Sequence, residues 1–139
     1  MNSLAVRAAL VVIALLVGAW LAVGVRAIDL ENDAKAVVDK ARAGTATPAE
    51  VQRARDDLQK ADFLSPSKDP IIREGELMAS LGRMGEGAIL GYSVTQKEPE
   101  NLRAWFLVWA TEQDAVRKAQ AKARLLELNP WFAYALRRR

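Results

Sequence analysis

From Ala8 to Val25 the chain carries no charged side chain, and Arg7 and Arg26 bracket the run. At about 1.5 Å of rise per residue, such a helix is just long enough to cross the hydrocarbon of a bilayer. Secretory signals usually have a shorter apolar region, about 7 to 15 residues, so an uncleaved anchor over residues 1–28 is expected. The alternative is a cleaved signal and a secreted product, because Val25-Arg26-Ala27 makes a small-x-small site before Ile28. Within the run, Ala14, Gly18 and Ala22 recur every fourth residue and form a candidate transmembrane packing face. Small side chains on one stripe let a second spanning helix approach closely.

Basic residues lie on both sides of the run: Arg7 ahead of it, and Arg26, Lys35, Lys40 and Arg42 behind it. The second group leans toward a cytoplasmic domain. A short head with one Arg is instead the form of a signal-anchor, and long domains cross largely regardless of charge. The expectation is a single-pass protein of the cell membrane with its domain outside the cytoplasm.

Residues 29–139 have the size of one compact domain with a real core. The formal net charge is +3, with Lys and Arg interleaved among Asp and Glu until the closing arginines. That is an ordinary solvated surface, and no nucleic acid is expected as a partner. With no Cys and no His, disulfides, thiolate nucleophiles and His-built or Cys-built metal sites are excluded.

The prolines punctuate helices. Thr47-Pro48, Asp69-Pro70 and Asn129-Pro130 each pair a capping side chain with Pro at the first helical position. Pro99 is expected to open another helix and Pro66 to follow the end of one. Thr47 with Glu50 has capping-box spacing, and Thr111 with Asp114 a looser version of it. Apolar faces of helical period run through Ala34, Val37, Val38 and Ala41, then Val51, Ala54, Leu58 and Ala61, then Val116, Ala119, Ala123 and Leu126. Gly44 and the cluster Gly82, Gly85 and Gly87 read as turns between helices of about 10 to 16 residues.

A repeat pairs these helices. Ala54, Leu58 and Ala61 recur 34 residues later as Ala88, Tyr92 and Thr95, and Pro99 echoes Pro66 at about that distance. On these residues the chain resembles the tetratricopeptide repeat family from about Ala34 to Pro130. The segment from Gly85 to Asn101 looks like the second helix of a repeat and the turn after it. Leu125-Leu-Glu-Leu-Asn-Pro130 resembles a closing segment. The resemblance implies an all-α chain in which the transmembrane helix precedes an α-solenoid of about three antiparallel helix pairs. A short capping helix carrying Trp131, Phe132, Tyr134 and Leu136 would seal it, with Arg137, Arg138 and Arg139 at its end. Ala88 would be the small contact residue, Tyr92 the aromatic wedge, Pro99 the turn residue and Trp105 the large aromatic of the next unit. Gly75 and Glu76 depart from the pattern, since the family places a large apolar residue and a Gly there.

The resemblance further implies a peptide-binding face lined by the first helix of each pair: Asp39, Arg73, Leu77, Ser80, Arg103, Phe106 and Ala110. Arg73 and Arg103 beside Leu77 and Phe106 would suit an acidic or carboxylate-ended segment with an apolar anchor. The implied partners are a membrane-associated protein or peptide and, through the anchor, the lipid bilayer. A structural subunit of a larger membrane complex is the other expectation. Ser65-Pro-Ser-Lys68 has the Ser-x-x-Lys spacing of penicillin-binding enzymes but lacks their partner motifs. Asp56 with Asp57, Glu74 with Glu76, and Glu98 with Glu100 are adjacent carboxylates placed at helix surfaces or ends. No phosphate-cradling Gly-Lys-Ser or Gly-Lys-Thr loop is present. No catalytic residue, cofactor, metal or small-molecule substrate is therefore expected.

Overall fold

The first helix does not stop where the apolar run stops. In the computed structural model, which describes residues 3–137, α1 runs unbroken over Ser3–Arg42. At about 1.5 Å per residue it is roughly 60 Å long. Residues 6–26 are exposed throughout, whereas Ala27, Leu30, Ala34, Val38 and Ala41 are buried at helical spacing. The helix ends in a Schellman turn: Gly44 takes φ 70°, Gly44 N–H donates to Ala41 O, and Thr45 N–H donates to Lys40 O.

Among the described residues six further helices follow: α2 Pro48–Leu64, α3 Asp69–Ser80, α4 Met84–Lys97, α5 Leu102–Thr111, α6 Ala115–Leu128 and α7 Phe132–Arg137. The described residues contain no strand. Each helix packs against the next in sequence, and α3 also touches α1 and α5. The core follows this order. Ala34, Val38 and Ala41 of α1 meet Ala54 and Leu58 of α2 and Leu77 and Met78 of α3. Ile72, on another side of α3, joins Val94 of α4 and Ala104 and Leu107 of α5. So α3 belongs to both clusters.

The Thr47 cap forms as its spacing requires, with Glu50 N–H donating to the Thr47 hydroxyl and Thr47 N–H donating back to the Glu50 carboxylate. Other starts differ from the expectation. Pro99 lies ahead of α5, whose cap is Asn101, accepting from Ala104 N–H. Asp114 alone caps α6, while Thr111 ends α5 with its hydroxyl donated to Leu107 O. Asp69 sits inside α3, capped by no side chain, and its own N–H donates to the Ser67 hydroxyl. Asn129 and Pro130 precede α7, and the Asn129 side chain accepts from Trp131 N–H.

Two glycines expected in turns are helical. Only Gly82 of its cluster turns the chain, at φ 78°, while Gly85 and Gly87 lie within α4. Gly87 is a contact residue: a Cβ there would stand 3.1 Å from the Gly75 carbonyl. Gly75 in turn gives its space to Leu107, whose Cδ2 would lie 2.4 Å from an added Cβ. The missing large residue of α3 is thus supplied by α5.

The last expected face is rotated. Helix α6 buries Ala121 and Leu125, and leaves Val116, Ala119 and Ala123 exposed. Both stripes keep helical period, so periodicity alone did not choose between them. At the C-terminal end Phe132 docks edge-on to Phe106 and Trp109 at 6.0 and 5.5 Å. Trp131 and Tyr134 stack on each other and remain exposed. The side chains of Leu136 and Arg137, and all of Arg138 and Arg139, lie outside the described residues.

Candidate functional site

Helices α1, α3 and α5 share one face, and Glu76 of α3 is its centre. Three arginines from three helices surround that carboxylate: Arg42 at 3.9 Å, Arg73 at 3.8 Å and Arg103 at 3.4 Å. Arg103 also holds Asp69 at 2.6 Å, and Arg42 holds Asp39 at 3.3 Å. Asp69 and Arg103 stand 34 residues apart, and so do Arg42 and Glu76. Both ion pairs thus span the 34-residue offset at which Ala54, Leu58 and Ala61 recur as Ala88, Tyr92 and Thr95.

Glu31 of α1 joins the same field. Burial raises its pKa, the Asp69 charge raises it further, and Arg73 and Arg103 pull it down. The Arg73 Nε is buried and has no hydrogen-bond partner among the described residues. An unpaired guanidinium N–H in such a place carries a desolvation cost that a ligand acceptor would relieve.

Two hollows open beside Glu76. The first, about 280 Å³, is bounded by Arg42, Ser80, Phe106 and Ala110 among others. The second, about 200 Å³, lies between Leu102, Arg103, Phe106, Leu125 and Phe132. Glu76 and Phe106 wall both. Phe106 is 47% exposed and packs one side against Trp109 and Phe132. The arrangement offers apolar space of side-chain size with a dense rim of paired charges, and it suits extended chain better than a reacting small molecule.

The expected groove residues fare differently. Ser80, Arg103, Phe106 and Ala110 do line the hollows. Leu77 does not: it is 0% exposed and belongs to the core against α1 and α2, because the helical period turns it inward. Arg73 is mostly buried along its stem, and Ser80 donates its hydroxyl to Glu76 O. The arginines are not open clamps, since Glu76 and Asp69 already occupy them. The sequence reading set Asp69 as a cap and Glu76 as a surface carboxylate and paired neither with arginine, although their 34-residue offsets from Arg103 and Arg42 were the available signal.

Ala14, Gly18 and Ala22 lie on the exposed half of α1, and a Cβ added at Gly18 would meet nothing within 4 Å. The Ser-x-x-Lys stretch is a turn: Ser65 accepts from Ser67 N–H, Ser67 donates to Asp69, and Lys68 donates to Asp62. Among the described residues, no three Asp or Glu side chains converge as a metal site would require. On the far side, buried Glu112 accepts from the N–H groups of Gln113 and Asp114. The Asp114 bond is the leading cause of its lowered pKa, and Arg117 helps. Tyr92 faces it, with a pKa raised by burial first and by the Glu112 charge second. Both groups serve the turn that joins α5 to α6.

The exposed half of α1 is long and apolar enough to cross a membrane, with a mean hydropathy of 2.7, a test that signal sequences also pass. No family model, curated protein or solved structure matches the chain.

Proposed function

We propose that the protein is a single-pass membrane protein whose helical domain, of tetratricopeptide type, holds a segment of another membrane-associated protein on its α1–α3–α5 face. The observation that carries this reading is the pair of adjoining hollows sharing Glu76 and half-exposed Phe106. Three further facts support the repeat architecture: neighbour-to-neighbour packing, contact of α3 with both α1 and α5, and ion pairs at 34-residue steps. Antiparallel pairing of α1 with α2 is supported by Lys40 meeting Glu50 at one end and Arg26 lying near Leu64 at the other. One pair cannot keep its apolar seam dry, and stacked pairs can.

In this reading an apolar side chain of the partner enters beside Phe106, and a partner carboxylate competes with Glu76 for the arginines. Anchoring confines the domain to the membrane and raises its effective concentration toward partners there. The domain lies outside the cytoplasm, and protease added to sealed cells or inverted vesicles checks that side.

Photocrosslinkers at Phe106 and Ala110, with Ile89 on α4 as the control, test the face in native membranes. One partner should be captured from both 106 and 110, and Ser80→Trp should abolish its capture by filling the first hollow. Capture of the same proteins from Ile89, or persistence after Ser80→Trp with the fold intact, removes the face from consideration.

A further inference from the structure

A hollow larger than the two beside Glu76 lies away from the α1–α3–α5 face. It opens between α1 and the C-terminal end of α2, has a volume of about 620 Å³, and is lined by Arg26, Leu30, Asp56, Lys60, Phe63 and Leu64 among others. Its position along α1 is what makes it informative. Arg26 is the residue that closes the uncharged run, and the helix continues through it without a break. At about 1.5 Å per residue, Leu30 stands within roughly 8 Å of the last apolar residue of that run. The mouth of the hollow is thus level with the place where a spanning helix leaves the hydrocarbon.

The chemistry of the walls matches that level. Phe63 is 90% exposed, and Ile28 beside the same boundary is exposed as well. Among the described residues, nothing covers that phenyl ring. Arg26 and Lys60 present cations, while Asp56 is engaged by the Gln52 amide and Lys60 reaches Asp57 only at 3.4 Å. Leu30 and Leu64 supply apolar walls. Aromatic rings and long cationic side chains, with apolar stems and charged tips, are the residues that settle at a membrane interface.

We infer that this hollow seats a phospholipid headgroup of the bilayer that α1 spans, with Arg26 and Lys60 meeting the phosphate and Phe63 and Leu64 entering the glycerol region. The inference rests on α1 being a membrane span. Its consequence is orientational: the end of the domain that carries the turn between α2 and α3 stands on the membrane, and the continuous helix leaves it no hinge to swing on.

Because the chain has no Cys, single-cysteine probes report cleanly. Full-length protein carrying a fluorophore at Leu16→Cys, Gln59→Cys or Ile89→Cys is placed in phosphatidylcholine and phosphatidylglycerol vesicles that contain nitroxide-labelled lipid. Strong quenching at 16 and 59, none at 89, and loss of the signal at 59 on adding Phe63→Asp and Lys60→Glu are expected. Quenching at 16 alone overturns the seat and leaves the span standing. Quenching at neither overturns both. Quenching at 59 that survives the double substitution shows another contact and overturns the assignment. Blue-shifted emission at 59 without quenching shows a protein, such as a second copy, in the hollow and also overturns it. Phe63 and Lys60 are surface residues, so circular dichroism should show the fold of the double variant unchanged.

Discussion

The two halves of α1 share one backbone helix and little else. Up to Arg26 large apolar residues, Leu15, Leu16 and Trp20 among them, alternate with Ala and Gly, and all are exposed on every side. From Ala27 onward only one stripe is apolar and buried, and three of its five members, Ala27, Ala34 and Ala41, are alanines seven residues apart. The contrast separates two reasons for being apolar. A helix apolar all round suits lipid surroundings, while small residues on one stripe let α2 and α3 come close enough to exclude water. The same substitution should therefore do different things in the two halves.

The largest expected effect comes from a charge. Val38 is buried against α2 and α3, so Val38→Asp places an unpaired carboxylate in the core and should cost upwards of about 4 kcal/mol. With domains stable by only about 5 to 15 kcal/mol, the variant should lose its cooperative urea transition in detergent, followed by circular dichroism. Val17→Asp in the other half should leave that transition unchanged. It should instead reduce the membrane-integrated fraction, an aspartate at the middle of a span costing about 2.5 to 3.5 kcal/mol on the insertion scale. Loss of the domain transition in Val17→Asp would erase the distinction between the halves.

Smaller effects come from glycine, and they sharpen the comparison by testing packing without charge. A Cβ at Gly91 would stand 2.7 Å from Val108 Cγ2 and 3.3 Å from the Val108 backbone nitrogen. A stiff β-branched side chain and a backbone atom give little, so Gly91→Ala should destabilise by about 1 to 3 kcal/mol in a urea titration. At Gly18 and Gly24 a Cβ would meet nothing within 4 Å. Alanine there should leave domain stability unchanged, and membrane association too unless Gly18 packs on a second spanning helix.

How much of this was legible follows from the physics of each element. The faces of α1 and α2 were readable because Ala34, Val38, Ala54 and Leu58 have no rival stripe on their helices. Helix α6 has one, and only the position of α5 decides that Ala121 and Leu125 turn inward. The continuity of α1 was not anticipated, because Arg26 and Asp29 end the uncharged run and were read as a boundary between segments. At the candidate site, the repeat resemblance set Ser80, Arg103 and Phe106 on one face, and in the structure these residues line the two hollows. The inward turn of Leu77 and the filling of the arginine clamps by Glu76 and Asp69 depend on how α3 sits between its neighbours. That position is a tertiary fact which local spacing does not carry.

The smallest expected effect is a titration, and it again separates the halves. Between Arg7 and Arg26 there is nothing to titrate, so membrane association through that half should not follow pH. The domain half is tied to α2 by Lys40 and Glu50. The Lys40 bond first, and the Thr47 N–H and hydroxyl next, lower the Glu50 pKa to about 2. A folded value below the unfolded one of about 4.3 contributes stability that is complete above the unfolded pKa and disappears as pH falls through the folded one. Glu31 acts in the opposite sense, since its raised pKa contributes stability at low pH that is lost as pH rises past its unfolded value. Urea midpoints of the detergent-solubilised protein should therefore fall on acidification from about pH 4.5 toward 2. Glu50→Gln should flatten that fall, and Glu31→Gln should steepen it. An unaltered acid profile in Glu50→Gln would mean that the link between α1 and α2 is not ionic in solution, and would leave the buried stripe from Ala27 to Ala41 to hold α1 against α2.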